Sequence, residues 1–277
     1  SIFWSIIHCC TYYLNPGYFK IEIIIKKDYS EMSHESAMIV AHQISTNPKT
    51  VLGLATGSTP LGLYDELIKL HNSEGLDFSN VISFNLDEYV GLPKNHPQSY
   101  NTFMFKTLFS KINIKQKNVH IPNGSSFNQK ECDKYESLIK IYGGIDLQIL
   151  GIGRSGHIAF NEPSSSLGSR TRLKTLTEET VNDNARFFDN ISDVPKYAVT
   201  MGVGTIMEAK KLLLLASGDS KAKPITKAIE GPISSMCSAS AIQMHPKTIV
   251  IVDEAAAKYL KEKDYYKWVY RNKANLN

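Results

Sequence analysis

The feature that most limits the fold of this chain is a repeat of short apolar runs, each followed by a polar or glycine-rich break. Such runs, rich in Ile, Val and Leu, predict strands buried on both faces. They cover 21–25, a run that begins at Thr50, 81–86, 145–152, 198–203, 211–216 and 248–252. Apolar spacing typical of helices occurs at 30–44, 61–70, 101–109 and 132–142. These alternating units predict a doubly wound α/β fold: a mostly parallel sheet with helices on both faces, in a three-layer, Rossmann-like arrangement.

The length and composition indicate one globular domain. No repeat, low-complexity tract or interdomain linker interrupts the 277 residues, so we expect a single domain over 21–277. Residues 1–20 are apolar and aromatic but too short to span a bilayer, and they read as a peripheral extension or as residues outside the natural reading frame. The net charge of +4 is spread along the chain without an aromatic RNA-binding pattern, which argues against nucleic acid. Four cysteines lack metal-ligand or disulfide spacing, so we expect a cytoplasmic protein with reduced thiols, no metal site and no membrane association.

The loop after the run at 145–152 is the first candidate for a functional site. Three glycines follow within six residues, and His157 and Glu162 come next, just ahead of a proline. Glycines allow a sharp turn or a close approach to a ligand, and ligands of open α/β sheets sit at the carboxyl ends of strands. We therefore expect His157 and Glu162 to share one cleft. The simpler alternative is a glycine-rich turn with a solvated histidine.

A second candidate follows the run that begins at Thr50. The segment Thr56-Gly57-Ser58-Thr59 lies between that strand and the helix predicted at 61–70. Unpaired N–H groups and the dipole at a helix start favour an anion, and hydroxyls add donors, so this arrangement predicts a phosphate site. The alternative is plain N-capping by Ser58 or Thr59. Lys221, just beyond the strand at 211–216, is well placed for the same phosphate. At the start of the first predicted helix, 30–44, we expect Ser30 to be the N-cap.

Two adjacent acids, Asp87 and Glu88, end the strand predicted at 81–86. Because side chains alternate along a strand, only one of them is expected to face the ligand. The loop at 91–100 is rich in turn residues and long for a connector, which indicates a lid or binding loop. The hydroxyl-rich, cationic segment at 164–174 is expected to lie solvated on the surface.

Several separate motifs, in the right order, resemble the glucosamine-6-phosphate deaminase family. They are 84–93, 156–163, 169–172 and 194–205, and the resemblance extends from about residue 21 to about residue 260. It implies glucosamine 6-phosphate as substrate, fructose 6-phosphate and ammonia as products, amino-sugar catabolism as the setting, and neither a metal nor an organic cofactor. In the family pattern Asp87 is the base that moves a proton from C2 to C1 of the open-chain sugar, and His157 assists ring opening with Glu162 as its partner. The residues implied in phosphate binding are Thr56, Gly57, Ser58, Thr59, Arg186 and Lys221.

The residue types suit that chemistry. Enolisation beside a carbonyl needs a carboxylate over the acidic carbon, and ring opening needs a group that titrates near neutrality. One position departs from the family pattern: many members carry aspartate two residues before the histidine, where this chain has Ser155. Serine forms hydrogen bonds but cannot offset charge on His157. We therefore hypothesise that ring opening is slowed or relies more on Glu162.

The family resemblance also implies regulation. Bacterial members are often hexamers activated by N-acetylglucosamine 6-phosphate at a subunit interface, and Ser165, Arg172 and Lys174 match residues of that effector site. A homo-oligomer, either a hexamer or a trimer, and this effector are therefore expected. The tail at 265–277 departs from the pattern.

Two other functions compete with this interpretation. A 6-phosphogluconolactonase shares the fold and a Gly-His loop, but residues 160–163 follow the deaminase pattern. A non-catalytic sugar-phosphate sensor has Ser155 as its only support, and the retention of Asp87, His157 and Glu162 argues against it.

Overall fold

Ten strands lie within the residues that the computed structural model describes, 20–125 and 127–273. They are β1 (Lys20–Lys26), β2 (Val51–Leu54), β3 (Ile82–Asn85), β4 (Asp87–Tyr89), β5 (Val119–His120), β6 (Leu147–Leu150), β7 (Arg172–Thr175), β8 (Tyr197–Thr200), β9 (Leu212–Ala216) and β10 (Lys247–Asp253). Seven of them form a parallel sheet in the order β1-β10-β9-β6-β2-β3-β5. The predicted doubly wound, mostly parallel sheet is confirmed.

The direction in which strands are added reverses between β2 and β6. From β2 the chain adds β3 and β5 on one side, and from β6 it adds β9 and β10 on the other. In open α/β sheets this switch point leaves a crevice at the carboxyl ends of the two central strands. Every residue of β2, β6 and β9 is buried, as expected for strands covered on both faces. The crevice therefore opens beside strands that are buried along their whole length.

Helices pack around this sheet. Those of the described ranges are α1 (Tyr29–Thr46), α2 (Leu61–Glu74), α3 (Tyr100–Thr107), α4 (Gln129–Ile141), α5 (Glu178–Asn184), α6 (Val203–Met207), α7 (Ala222–Glu230) and α8 (Lys263–Arg271). None of them has the length and apolar character needed to cross a membrane. The expected N-cap at Ser30 was wrong: Asp28 has the extended backbone of a cap, and its carboxylate accepts the Glu31 N–H at 3.0 Å. The extension predicted at 1–20 lies outside the described residues, apart from Lys20, which begins β1.

A small antiparallel sheet, β4-β8-β7, was not predicted. The expected strand at 81–86 ends at Asn85, and the chain passes through Leu86 directly into this second sheet. The run at 198–203 likewise contributes β8 here and not to the parallel sheet. The segment at 164–174 was expected on the surface, but it leads into β7, because pairing with β8 satisfies its backbone. Asp87 thus begins a strand at the junction of two sheets.

Candidate active site

A cavity of about 370 Å³ lies at the carboxyl ends of β2, β6 and β9. It brings together residues that are far apart in the sequence and that follow different strands. Among those lining it are Thr56, Gly57, Ser58, Thr59, Asp87, Tyr89, Tyr100, Gly153, His157, Phe160, Arg186, Phe187, Phe188 and Lys221. Of the ten residues predicted as catalytic or phosphate-binding, eight therefore line the same cavity. Ser155 and Glu162 lie behind His157.

The loop from Thr56 to Thr59 forms one end of this cavity. Gly57 has a φ of +91°, a left-handed conformation that suits glycine. The helix α2 begins beyond it, with Pro60 as N-cap and without a side-chain cap, so the N-capping alternative for Ser58 and Thr59 is not what the structure contains. Their hydroxyls are left for a ligand. The loop carbonyls are held by Tyr29, whose hydroxyl lies 3.0 Å from both Ser58 O and Thr59 O.

Two cations accompany this loop. Lys221 donates to the carbonyl of Ile152 at 2.6 Å, which fixes its ammonium at the cavity wall. Burial lowers the pKa of Lys221, Asp183 opposes this effect, and the charges of Arg154 and Arg186 add to it. The Arg186 guanidinium lies 4.6 Å from the centre of the Phe187 ring. The cavity thus combines two cations with the hydroxyls of Ser58 and Thr59, a set of donors that suits a dianion.

Asp87 is 6 % exposed and lines the cavity. Burial, helped by the charge of Glu88, raises the pKa of Asp87 to about 8. Glu88 points the other way, toward a separate cavity of about 410 Å³. Its carboxylate accepts the backbone N–H groups of Tyr89, Tyr100 and Asn101, each at 2.9 Å. Glu88 therefore anchors the start of α3, and of the two acids only Asp87 lines this cavity.

His157 faces the cavity with its ring against Gly153. A Cβ built at Gly153 would lie 2.1 Å from Nε2 of His157, so this glycine is required by close contact. On the other edge of the ring, Nδ1 lies 2.8 Å from Ser155 Oγ and 3.1 Å from Glu162 Oε2. A carboxylate only accepts, so the proton belongs on Nδ1 when the ring binds Glu162. The Nε2 atom then faces the cavity as a proton acceptor.

The Glu162 carboxylate is only 2 % exposed. Burial alone would raise its pKa, but the hydrogen bond and charge of His157, with donors from Thr180 and Thr177, hold the pKa of Glu162 below its ordinary value. Glu162 is thus kept as an anion behind His157. An anion there stabilises the protonated imidazole that forms when His157 takes a proton.

The three residues expected in an effector site do not line the cavity. They lie behind the loop that carries Glu162. Ser165 donates to the Glu162 carbonyl at 2.7 Å, and Arg172 donates to Asn161 Oδ1 at 2.8 Å. Burial and the charge of Arg172 lower the pKa of Lys174, while Glu162 opposes the shift. Ser165 and Arg172 are thus bonded to the segment at 161–162, and Lys174 interacts electrostatically with Glu162.

Sequence reasoning missed the aromatic wall of the cavity. The Tyr100 ring lies parallel to that of Phe160, with 6.1 Å between ring centres, and packs at a tilt against Tyr89 at 4.7 Å. Its hydroxyl is hydrogen-bonded to Tyr89 and Thr56. Tyr100 and Phe160 lie in segments predicted to bind a ligand, the loop at 91–100 and the loop that carries His157 and Glu162, but no sequence signal indicated that their rings would pack together with Tyr89. Within 20–125 and 127–273, no group of three His, Cys, Asp or Glu side chains is arranged to hold a metal ion.

Known proteins resemble this chain over most of its length. A family model described as glucosamine-6-phosphate isomerases/6-phosphogluconolactonase matches residues 28–251. The glucosamine-6-phosphate deaminase of Thermoanaerobacter pseudethanolicus is 52% identical over 245 residues, 88% of this chain and 97% of that protein. A solved monomeric glucosamine-6-phosphate deaminase is 46% identical with a TM-score of 0.84, over 86% of this chain and 99% of that one.

A solved 6-phosphogluconolactonase from Trypanosoma cruzi is 21% identical with a TM-score of 0.69, over 88% of this chain and 98% of that one, which shows a shared fold alone. The family model and the relative at 52% identity agree with the motif resemblance. The chain therefore belongs to the glucosamine-6-phosphate isomerase and 6-phosphogluconolactonase family.

Proposed function

We propose that this protein is a glucosamine-6-phosphate deaminase, which converts glucosamine 6-phosphate and water to fructose 6-phosphate and ammonia. The observation that carries the proposal is that one cavity is lined by the buried carboxylate of Asp87 and the imidazole of His157. The loop from Thr56 to Thr59, which is suited to a phosphate, and Lys221 line the same cavity. Relatives at about half identity carry the name of this activity. The lactonase likeness concerns the fold, so we do not propose lactone hydrolysis.

In the proposed mechanism the phosphate is bound first. The amides and hydroxyls of Thr56–Thr59 and the cations of Arg186 and Lys221 hold it at one end of the cavity. Anchoring at the phosphate orients the sugar, which reduces the entropy lost when C2 meets the base. His157 then takes a proton from the ring hydroxyl at C1 through Nε2 and returns a proton to the ring oxygen, which gives the open-chain aldehyde. Glu162 stabilises the intermediate imidazolium.

Asp87 carries the proton transfer that follows. Its carboxylate removes the proton from C2 of the aldehyde, and the aldehyde oxygen O1 gains a proton from the substrate ammonium, which gives an enolamine. Asp87 then delivers its proton to C1, which leaves an iminium at C2 and a hydroxyl on C1. Water adds to this iminium, and loss of ammonia gives the ketose, so no redox partner is needed. The free carboxyl has a pKa of about 8, and the ammonium group of the substrate beside it would favour the ionised form that acts as base.

An ammonia-release assay with glucosamine 6-phosphate tests this proposal. We expect ammonia and fructose 6-phosphate in equal amounts, and a loss of about a hundredfold to ten-thousandfold in turnover for Asp87→Asn. Asp65→Asn, which removes an exposed carboxylate from α2, is the control. Hydrolysis of 6-phosphogluconolactone without ammonia release would contradict the proposal, and so would phosphate-sugar binding without turnover.

Regulation and assembly belong to the same proposal. Ser165, Arg172 and Lys174 are proposed to bind N-acetylglucosamine 6-phosphate in a homo-oligomer, a trimer or hexamer, that works in the cytoplasm in N-acetylglucosamine catabolism. Two partly buried cations near the loop that carries Glu162, with Arg172 bonded to Asn161, support an anionic effector. One solved relative is described as monomeric, so the oligomer needs its own test. Sedimentation with and without the acetylated sugar, together with initial rates, provides it: a monomer with a flat rate response contradicts both parts.

A further inference from the structure

We propose that Thr180 is a positioning residue for this reaction, because its hydroxyl holds the Glu162 carboxylate behind His157. The inference rests on the proposed function and adds a physical link between phosphate binding and proton transfer. Thr180 lies on α5, and the turn that follows this helix carries Arg186. One short helix therefore serves both halves of the site.

The two oxygens of Glu162 have separate roles. Oε1 accepts the Thr180 hydroxyl at 2.6 Å and has longer contacts with Thr177, 3.3 Å to N and 3.4 Å to Oγ1. Oε2 lies 3.1 Å from Nδ1 of His157, an ion-pair contact, and has no hydrogen-bond partner among the described residues. Thr180 thus makes the shortest contact with the Glu162 carboxylate, and by holding Oε1 it keeps Oε2 toward the imidazole.

The direction of this hydrogen bond is set by chemistry. An ionised carboxylate only accepts, so the single hydroxyl proton of Thr180 must be donated to it. The Thr177 hydroxyl lies 3.0 Å from Thr180 Oγ1 and completes the arrangement. Thr180 is 9 % exposed and Glu162 2 % exposed, so water does not readily replace a lost hydroxyl. Without it the carboxylate would be free to rotate away from His157.

At its other end the same helix leads into residues that line the cavity. Asn184, Arg186, Phe187 and Phe188 all line the cavity just beyond Thr180. On its outer side the helix is tied to the glycine loop by Arg154, whose Nη2 lies 3.1 Å from Asp183 Oδ1. A phosphate bound by Arg186 restrains the segment that holds Glu162. Substrate binding thereby steadies the partner of His157.

A matched pair of variants tests Thr180, because serine and alanine at this position differ only in the hydroxyl. We expect Thr180→Ala to lower kcat by about tenfold to a hundredfold, the equivalent of one hydrogen bond to a charged group. KM should stay within about threefold, since the phosphate contacts remain. Thr180→Ser should keep at least about a third of the wild-type kcat. Thr226→Ala, which removes a hydroxyl bonded within α7 at 2.8 Å, should leave kcat unchanged.

A second readout does not depend on activity. The ¹⁵N chemical shifts of the His157 ring report which nitrogen carries the proton, and we expect them to change in Thr180→Ala but not in Thr180→Ser. Equal kcat values for the two variants, or unchanged ring shifts in Thr180→Ala, would overturn the proposal. If the wild-type protein releases no ammonia, the proposed function fails, while the ring shifts still decide whether Thr180 positions the His157–Glu162 pair.

Discussion

Replacing Asp87 by asparagine should change how the stability of the protein depends on pH. Burial raises the pKa of Asp87 to about 8, whereas an aspartate in the unfolded chain titrates near 3.8. Between these values the native protein holds a proton that the unfolded chain has released. The free energy of unfolding therefore falls as pH rises. The stability that the protonated Asp87 contributes is fully present below the unfolded pKa and is lost by the time the pH has passed the folded pKa. Asparagine has nearly the same shape and holds no such proton.

The size of the effect follows from this single proton. One proton corresponds to about 1.4 kcal/mol for each pH unit, so the wild type should lose about 3 kcal/mol relative to Asp87→Asn between about pH 5 and pH 7. Below about pH 4 both states are protonated and the difference should level off. At neutral pH the inactive variant should be the more stable protein, which is the usual relation between a strained site and stability.

Urea unfolding at a series of pH values measures this difference. The buffers must lack phosphate, since a ligand that binds the native state would stabilise it. Asp65→Asn on the exposed face of α2 is the control for loss of a carboxylate in water. If the unfolding free energies of wild type and Asp87→Asn stay parallel between about pH 5 and pH 7, the carboxyl of Asp87 is not held protonated by burial.

Three other substitutions test the remaining parts of the cavity. Gly153→Ala places a Cβ 2.1 Å from the present position of His157 Nε2, so the ring must move. We expect kcat to fall at least about a hundredfold while the circular dichroism spectrum stays normal. Turnover near the wild-type value would contradict this packing. Lys221→Met should weaken inhibition by inorganic phosphate by about tenfold to a hundredfold, because a hydrogen-bonded cation is lost from the wall; an unchanged inhibition constant would remove Lys221 from the phosphate site. Ser155→Asp brings a second carboxylate toward Nδ1 of His157 and should raise kcat up to about tenfold by supporting the imidazolium; an unchanged kcat and pH profile would mean that serine causes no deficit.

The parallel sheet and most of the cavity could be predicted because both depend on local signals. Buried parallel strands are continuous apolar runs, as in Leu212–Ala216, and parallel topology brings the ends of β2, β6 and β9 together. The antiparallel sheet was missed because two of its strands, β4 and β7, are short and contain no apolar run: Arg172–Thr175 reads Arg-Leu-Lys-Thr. Its third strand, β8, was predicted as a strand but was expected in the parallel sheet. The pairing of β7 with β8 is a tertiary effect that overrides composition.

The threonine partners of Glu162 could not be predicted for a related reason. Thr180 is 18 residues further along the chain, on a helix of seven residues that Thr177 caps, and neither threonine differs in sequence terms from an ordinary residue of a helix start. Only the fold brings its hydroxyl to a buried carboxylate. In contrast, the contact of Ser155 with His157 joins residues two apart and follows directly from the motif.

The junction at Leu86 has a consequence for how this enzyme could be tuned. The Leu86 carbonyl accepts the Met201 N–H at 2.7 Å, so a backbone hydrogen bond joins the segment between the two sheets to the end of β8 one residue before Asp87. A substitution that displaces β8 would therefore move Asp87 through this hydrogen bond, whereas the loop at Thr56–Thr59 follows a strand of the parallel sheet. We expect such substitutions to change turnover more than the affinity for the sugar phosphate.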